Sequence, residues 1–259
     1  MARFSRLGDV AAPVLALAAI LAVWEGLTRA FAIPSYLLPP PSAVLAAAHG
    51  NTAVLAHSAA MTGVAALMGF TLSSVVGCLA AIALSSSRLL EKAFYPYTIF
   101  LQTVPIVAIA PLLVLWFGVG ARAVTASAFI VSVFPVITNA LAGFRSVDPN
   151  LRDLFRLYGA SRVSRLVRLD LPWATPSIAT GLRVACGLAV IGAIVGEFVA
   201  GFAEEDQGLG IVVLTAYRQL RTDLLFAAVA GSAVLGLAMF AAVTLGSHLI
   251  LRRWHASAK

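Results

Sequence analysis

Long apolar runs broken by short polar stretches dominate this chain. A helix rises about 1.5 Å per residue, so roughly 20 mainly apolar residues cross the ~30 Å hydrocarbon core of a bilayer. Runs of that length occupy residues 10–31, 58–84, 95–117, 123–144, 173–199 and 224–251, and the second carries no charged residue. Each is expected to form a membrane-spanning helix, because lipid offers backbone amides no partner and the two-residue alternation of a membrane β-barrel is missing. The third and fourth runs are separated only by a turn around Gly118, Gly120 and Arg122. Pro105 and Pro111 fall inside the third run, which predicts a single kinked helix with Gln102 and Thr103 at its bend. The pattern is therefore that of an all-α, polytopic membrane protein forming one domain over residues 1–259, with six spans and both termini on the same side.

Composition agrees: 61% of the 259 residues are hydrophobic, 11% are charged and the mean hydropathy is +0.96, more apolar surface than a soluble domain of this length needs. The first run follows Arg3 and Arg6, as a signal peptide would. It is too long for a signal core, however, and no small-residue cleavage site precedes Pro39, Pro40 and Pro41, so it reads as a retained helix. Lys and Arg near the spans are held in the cytoplasm. With the N-terminus inside, thirteen of the eighteen basic residues fall on inner segments, among them Arg88, Lys92, six arginines from Arg145 to Arg168, and Arg252, Arg253 and Lys259. Both termini are thus expected in the cytoplasm of a cell with the protein in its inner membrane. The net charge of +7 then reports topology and contact with anionic lipid headgroups. Nucleic-acid binding is disfavoured, since the basic residues lie beside spans without interleaved aromatics.

Catalytic chemistry finds little support. Cys78 and Cys186 sit in apolar runs and read as small buried hydrophobes, while His49 and His57 lie in an outer loop far from His248 and His255, so no metal site is expected. No H-E-x-x-H, G-x-S-x-G or mid-span aspartate pair is present. A secondary transporter would share polar, kinked helices, but it commonly shows inverted repeats and mid-membrane carboxylates, and neither is found here. Polar positions inside the runs are candidates for a translocation pathway: Gln102, Thr103, Ser127, Ser132, Asn139, Thr180 and Arg183. The competing reading is that hydroxyls bond back to their own helix and Asn139 joins two helices. Arg183 lies about ten residues inside its run, too deep for a lipid-facing position, and is expected either to pair structurally or to meet an anionic solute. Glu25 and Glu197 lie near the outer ends of their runs and are expected at the membrane surface. Of the two large outer loops, residues 32–57 hold the proline run and a short apolar stretch suited to the membrane surface. Residues 200–223 hold Glu204, Glu205 and Asp206 followed by Gly208 and Gly210, either a solvated turn or a contact for an outside partner.

The inner segment 148–171 differs from everything around it, being far too polar to cross a bilayer. Asp148 followed by Pro149 is a helix start, because the carboxylate accepts free amides and proline suits the first helical position. Leu151, Leu154, Phe155 and Tyr158 then form one apolar stripe, with Arg152, Asp153 and Arg156 outside it. Gly159 is expected to end that helix in a left-handed conformation, Ser161 to cap a second short helix carrying Arg162, Arg165 and Arg168, and Pro172 to precede the next span. Such a unit is either a surface-lying helix with retention charges or a docking element for a cytoplasmic partner.

The run from Asp153 through Gly159, Ala160 and Ser161 to Leu169, Asp170, Leu171 and Pro172 resembles the cytoplasmic "EAA" loop of binding-protein-dependent ABC importer permeases. Gly159, Leu169, Leu171 and Pro172 fall in its register, while Asp153, Leu154 and Phe155 replace its Glu-Ala-Ala. Gln102-Thr-Val-Pro-Ile, Ala110-Pro-Leu, Trp116-Phe-Gly-Val-Gly120, Gly181-Leu-Arg183 and Gly208-Leu-Gly210 resemble the branch serving nitrate, sulfonate, taurine and bicarbonate uptake, with riboflavin and thiamine-precursor permeases similar too. The resemblance implies a type I importer fold of six transmembrane helices with a coupling loop at about residues 145–172. It also implies a homodimer of permeases, two ATP-binding cassette subunits and a periplasmic or lipid-anchored solute-binding protein. Asp153, Leu154, Phe155, Arg156, Gly159, Ala160, Ser161, Leu169, Leu171 and Pro172 would then carry the contact to the ATPase. The chain has no G-x-x-x-x-G-K-[ST] sequence, so ATP and Mg are expected in the partner and no cofactor in this chain.

Overall fold

The computed structural model describes residues 2–200 and 207–251, and among these the only regular structure is helical. The order is α1 (Ala2–Ala30), α2 (Pro41–Gly50), α3 (Thr52–Ser86), α4 (Arg88–Thr103), α5 (Ile106–Phe117), α6 (Ala121–Arg145), α7 (Pro149–Leu157), α8 (Arg162–Arg165), α9 (Leu171–Ala200), α10 (Leu209–Arg218) and α11 (Thr222–Leu251). Among the described residues, five stretches are long and apolar enough to cross a bilayer: Ala11–Ala30, Thr52–Ser86, Ala121–Arg145, Arg162–Ala200 and Thr222–Leu249.

The sixth expected span takes a different form. Instead of one kinked helix over 95–117, α4 and α5 meet at 99°. Pro105 disfavours the helical conformation in the residue before it. Val104 is accordingly extended, at φ −73° and ψ 123°, and so is Pro105, at φ −62° and ψ 125°. Two consecutive extended residues turn the chain far more than a missing hydrogen bond alone would. The start of the fifth span also moves. The basic helix does not end before Pro172 but runs through a π-helical turn, Leu166–Asp170, straight into α9. Proline has no N–H for the preceding turn, and a wider turn placed just before it lets the helix continue.

The core lies where α6 is clasped between α3 and α9. Gly69, Ser73, Gly77 and Ala81 of α3 recur every fourth residue and are all buried, as are Gly192 and Gly196 of α9. Cβ atoms built at Gly77 and Gly192 would lie 2.8 Å from atoms of Val136 and Ala128 in α6, so the small residues set the interhelical distance. In lipid, where apolar burial between helices gains little, such close van der Waals contact is the main source of association. α1 packs against α2 and is fastened to it near its C-terminal end. The Glu25 carboxylate there accepts from the Ser42 amide at 3.0 Å, the Ser42 hydroxyl at 2.8 Å and Arg29 at 2.7 Å, holding the start of α2.

Candidate functional site

At one end of the bundle, residues 148–171 fold as their capping residues require. Asp148 accepts the Asn150 N–H at 2.8 Å and Ser161 accepts the Ser164 N–H at 3.1 Å, opening α7 and α8. Between them Gly159 takes φ +65° with open space where a side chain would go, and its N–H donates to Arg156 O at 3.0 Å. The apolar stripe expected on α7 divides in two. Leu151 and Phe155 are half-buried, whereas Leu154 is 45%, Leu157 84% and Tyr158 83% exposed. This nine-residue helix and its C-cap Tyr158 thus offer three large apolar side chains outward, with exposed Asp153 and Arg156 paired beside them at 3.9 Å. Leu157, absent from the expected stripe, is its most exposed member. Ala160 and Ser161 form the turn, Leu169 is buried, and Leu171 and Pro172 begin α9.

The loop is braced by a residue the sequence did not single out. Asp170 is 6% exposed and accepts from Arg165 Nε at 3.1 Å and Arg152 Nε at 3.4 Å. Arg152 also donates to Phe144 O. One carboxylate at the foot of α9 therefore ties α7 and α8 to the end of α6. A single aspartate within a motif gave no signal of this, because its partners are five and eighteen residues away.

At the opposite end, Glu197 corrects the expectation of a surface position. It is 5% exposed, accepts from the Thr62 hydroxyl at 2.7 Å and the Gly210 N–H at 2.7 Å, and thereby anchors α10. The Leu209 N–H donates to Thr62 Oγ1 at 2.9 Å, so two free amides at the start of α10 are satisfied by one buried pair. The helix N-terminus also suits a negative charge. Gly208 and Gly210 are required by this approach rather than by a solvated turn. A Cβ on Gly208 would land on the Glu197 carboxylate, and one on Gly210 would lie 2.7 Å from Ile194 O. Glu204, Glu205 and Asp206 lie outside the described residues. Beside Glu197 is a mainly apolar cavity of 180 Å³, bordered by Met61, Met68, Val124 and Ile211.

The candidate pathway residues do not gather in one place. Ser127 and Ser132 are buried in the protomer and donate to Ala123 O at 3.0 Å and Ala128 O at 2.6 Å. Asn139 donates to Pro135 O of its own helix at 2.8 Å, and Thr180 to Pro176 O at 3.1 Å. Gln102 and exposed Thr103 sit at the α4–α5 corner, where the Thr103 hydroxyl bonds to Phe100 O at 2.7 Å. Thr180, Val184 and Ile191 mark an exposed face of α9, and half-buried Arg183 sits beside it. The Arg183 Nε is buried with no hydrogen-bond partner among the described residues, so the structural pairing expected of it is not made at that nitrogen. Cys186 is buried and Cys78 half-buried, both free thiols, and the described residues contain no cluster of metal ligands.

Comparison with known proteins places the chain in a family. The family model described as "Binding-protein-dependent transport system inner membrane component" matches residues 73–254. The formylaminopyrimidine transport permease protein ThiX of Halalkalibacterium halodurans is 32% identical over 92% of this chain and 94% of its own. The taurine transport system permease protein TauC of Escherichia coli is 30% identical over 92% of this chain and 88% of its own. Among solved structures, an amino acid ABC transporter crystallised with histidines superposes with a TM-score of 0.57 at 20% identity, covering 79% of this chain and 95% of that one. That likeness supports the fold. With the family model matching well over half of its length, the chain belongs to the binding-protein-dependent transport system inner membrane components, the permease subunits of ABC importers.

Proposed function

We propose that this permease subunit pairs with a second copy, seats its 148–171 loop in an ATP-binding cassette subunit, and passes a small anion delivered by a periplasmic or lipid-anchored binding protein. The observation that carries the docking is the outward display of Leu154, Leu157 and Tyr158 on a capped helix that is itself braced from behind by Asp170. Three large apolar groups on a polar end of the molecule have no partner of their own there, and an apolar groove on another protein suits them. The loop end faces the cytoplasm in this reading, in keeping with its six arginines. ATP and Mg belong to the partner, whose closure would draw two such loops together and rock the helices to open the path outward. Bracing matters because a loose loop would absorb that movement instead of transmitting it.

For the solute, Arg183 supports an anion such as a sulfonate, taurine, nitrate or bicarbonate. A cation at mid-membrane whose Nε lacks a partner is costly unless something negative visits it. The exposed α9 face with Thr180, together with Gln102 and Thr103 at the α4–α5 corner, would complete the path between two copies, whereas Ser127, Ser132 and Asn139 would contribute only if the α6 packing opened. A pyrimidine precursor is the second reading, favoured by the likeness to the formylaminopyrimidine permease. The test is co-expression with the neighbouring ATP-binding and binding-protein genes, followed by ATP-driven uptake into proteoliposomes. Deleting residues 149–160 is expected to abolish both co-purification of the ATPase and uptake. Normal assembly and uptake by that variant would overturn the docking assignment.

A further inference from the structure

Beside the loop, on the face of α7 that carries Arg152, lie two adjoining cavities of 510 and 390 Å³ that share Ser85, Ser86, Phe144 and Arg152. The larger is closed by Arg88 and Lys92 of α4 and by Arg145 of α6, with Glu91 the carboxylate on its wall. Glu91 is engaged by Arg145, which also lies 5.1 Å from the centre of the Tyr95 ring. Asp170, on the wall of the smaller cavity, is engaged by Arg152 and Arg165. Both carboxylates are therefore already committed, and neither Arg88 nor Lys92 forms an ion pair among the described residues. The concentration of cations is not neutralised by the described residues.

Place decides what neutralises it. The larger cavity opens where the spans α3 and α6 end, so it sits at the height of lipid headgroups. α4 runs away from it with Leu89 78%, Leu90 40% and Phe94 55% exposed, an apolar ramp next to a cationic hollow. Arginine binds phosphate oxygens in pairs, lysine meets them as a point charge, and the neighbouring serines can donate as well. Basic pockets between spans on the cytoplasmic side are suited to anionic headgroups. We propose that the cavity between Arg88, Lys92, Arg145 and Arg152 holds the phosphodiester headgroup of an anionic phospholipid, with its acyl chains laid along Leu89 and Phe94. Such a lipid would wedge α4 against α6 and steady the ground from which the loop projects. This rests on the membrane placement proposed above but not on ATPase docking.

The experiment uses the purified full chain alone, so its outcome is separate from that of the co-purification test. Protein in mild detergent is mixed with phosphatidylglycerol or phosphatidylcholine, and bound lipid is counted by native mass spectrometry. Phosphatidylglycerol is expected to be retained selectively. Lys92→Gln should weaken retention about fivefold and Arg88→Gln with Lys92→Gln about 25-fold, while Arg122→Gln at the far end changes nothing. Because Lys92 is exposed and unpaired, the single variant tests the site even if the double one folds poorly. Equal retention of the two lipids, or phosphatidylglycerol retention unmoved in Lys92→Gln, overturns the proposal. If millimolar inorganic phosphate displaces the lipid completely, the site takes free anions and the lipid assignment fails. Displacement by the purified ATP-binding subunit would make the cavity part of a protein interface and overturn it likewise.

Discussion

Removing the Glu197 carboxylate should loosen helix α10, and the size of the effect follows from its bonds. In Glu197→Ala the Gly210 N–H loses a buried acceptor and the Thr62 hydroxyl loses its own. A buried donor left without a partner costs about 1–3 kcal/mol. Thr62 can turn to a carbonyl of its own helix, and relief from burying a polar carboxyl group offsets part of the rest, so a net loss of about 2–3 kcal/mol is expected. At roughly 2–4 °C per kcal/mol for a chain of this size, the midpoint of thermal unfolding should fall by about 4–12 °C. Glu197→Gln should cost much less, because its carbonyl can still accept from Gly210 while its amide donates to Thr62. Gly208→Ala drives a methyl group into the same carboxylate and should match Glu197→Ala. The three heavy atoms nearest that methyl group all belong to Glu197. The two changes should therefore be strongly non-additive, with a coupling of about 1 kcal/mol or more. Fluorescence-monitored melting in detergent compares the wild type, the three single variants and the Glu197→Ala, Gly208→Ala double variant. Strict additivity, or a Gln variant as damaged as the Ala variant, would refute the reasoning.

Three further outcomes test the opposite end and the path. Gly159→Val has room for its side chain but not for its backbone, since φ +65° costs a β-branched residue about 1–2 kcal/mol or more; co-purification of the ATPase should drop while the melting of the membrane bundle barely moves. Asp170→Asn weakens two charged hydrogen bonds, discounted because both arginines are about one-third exposed, and should cost about 1–2 kcal/mol. Limited proteolysis should then cut within residues 148–171 sooner, and ATP hydrolysis should be less tightly coupled to uptake. Arg183→Gln should leave assembly intact but slow anion uptake at least tenfold, and equal slowing for a neutral pyrimidine would count against a charge-selective role.

What could be read from the chain was whatever depends on neighbours in sequence. Apolar run lengths located the spans, and Asp148, Gly159 and Ser161 fixed the loop, because caps and turns are satisfied within a few residues of themselves. Even the departures had local causes: Pro105 broke the third span and Pro172 was absorbed by a wider turn. Which side of a short helix faces outward is not local, so neither the exposure of Leu157 nor the half-burial of Phe155 can be read from the chain. Nor can the fate of the carboxylates. Glu197 finds Thr62 across 135 residues and Asp170 finds Arg152 across 18. Sequence alone sufficed to place this protein in a membrane, to locate most of its helices and to predict how the 148–171 loop is capped, since the backbone must satisfy its own hydrogen bonds in lipid. Tertiary structure alone decided which charges are buried and with whom they pair, because that follows from helix packing set by small residues, and no pattern along a single helix encodes the identity of the neighbour.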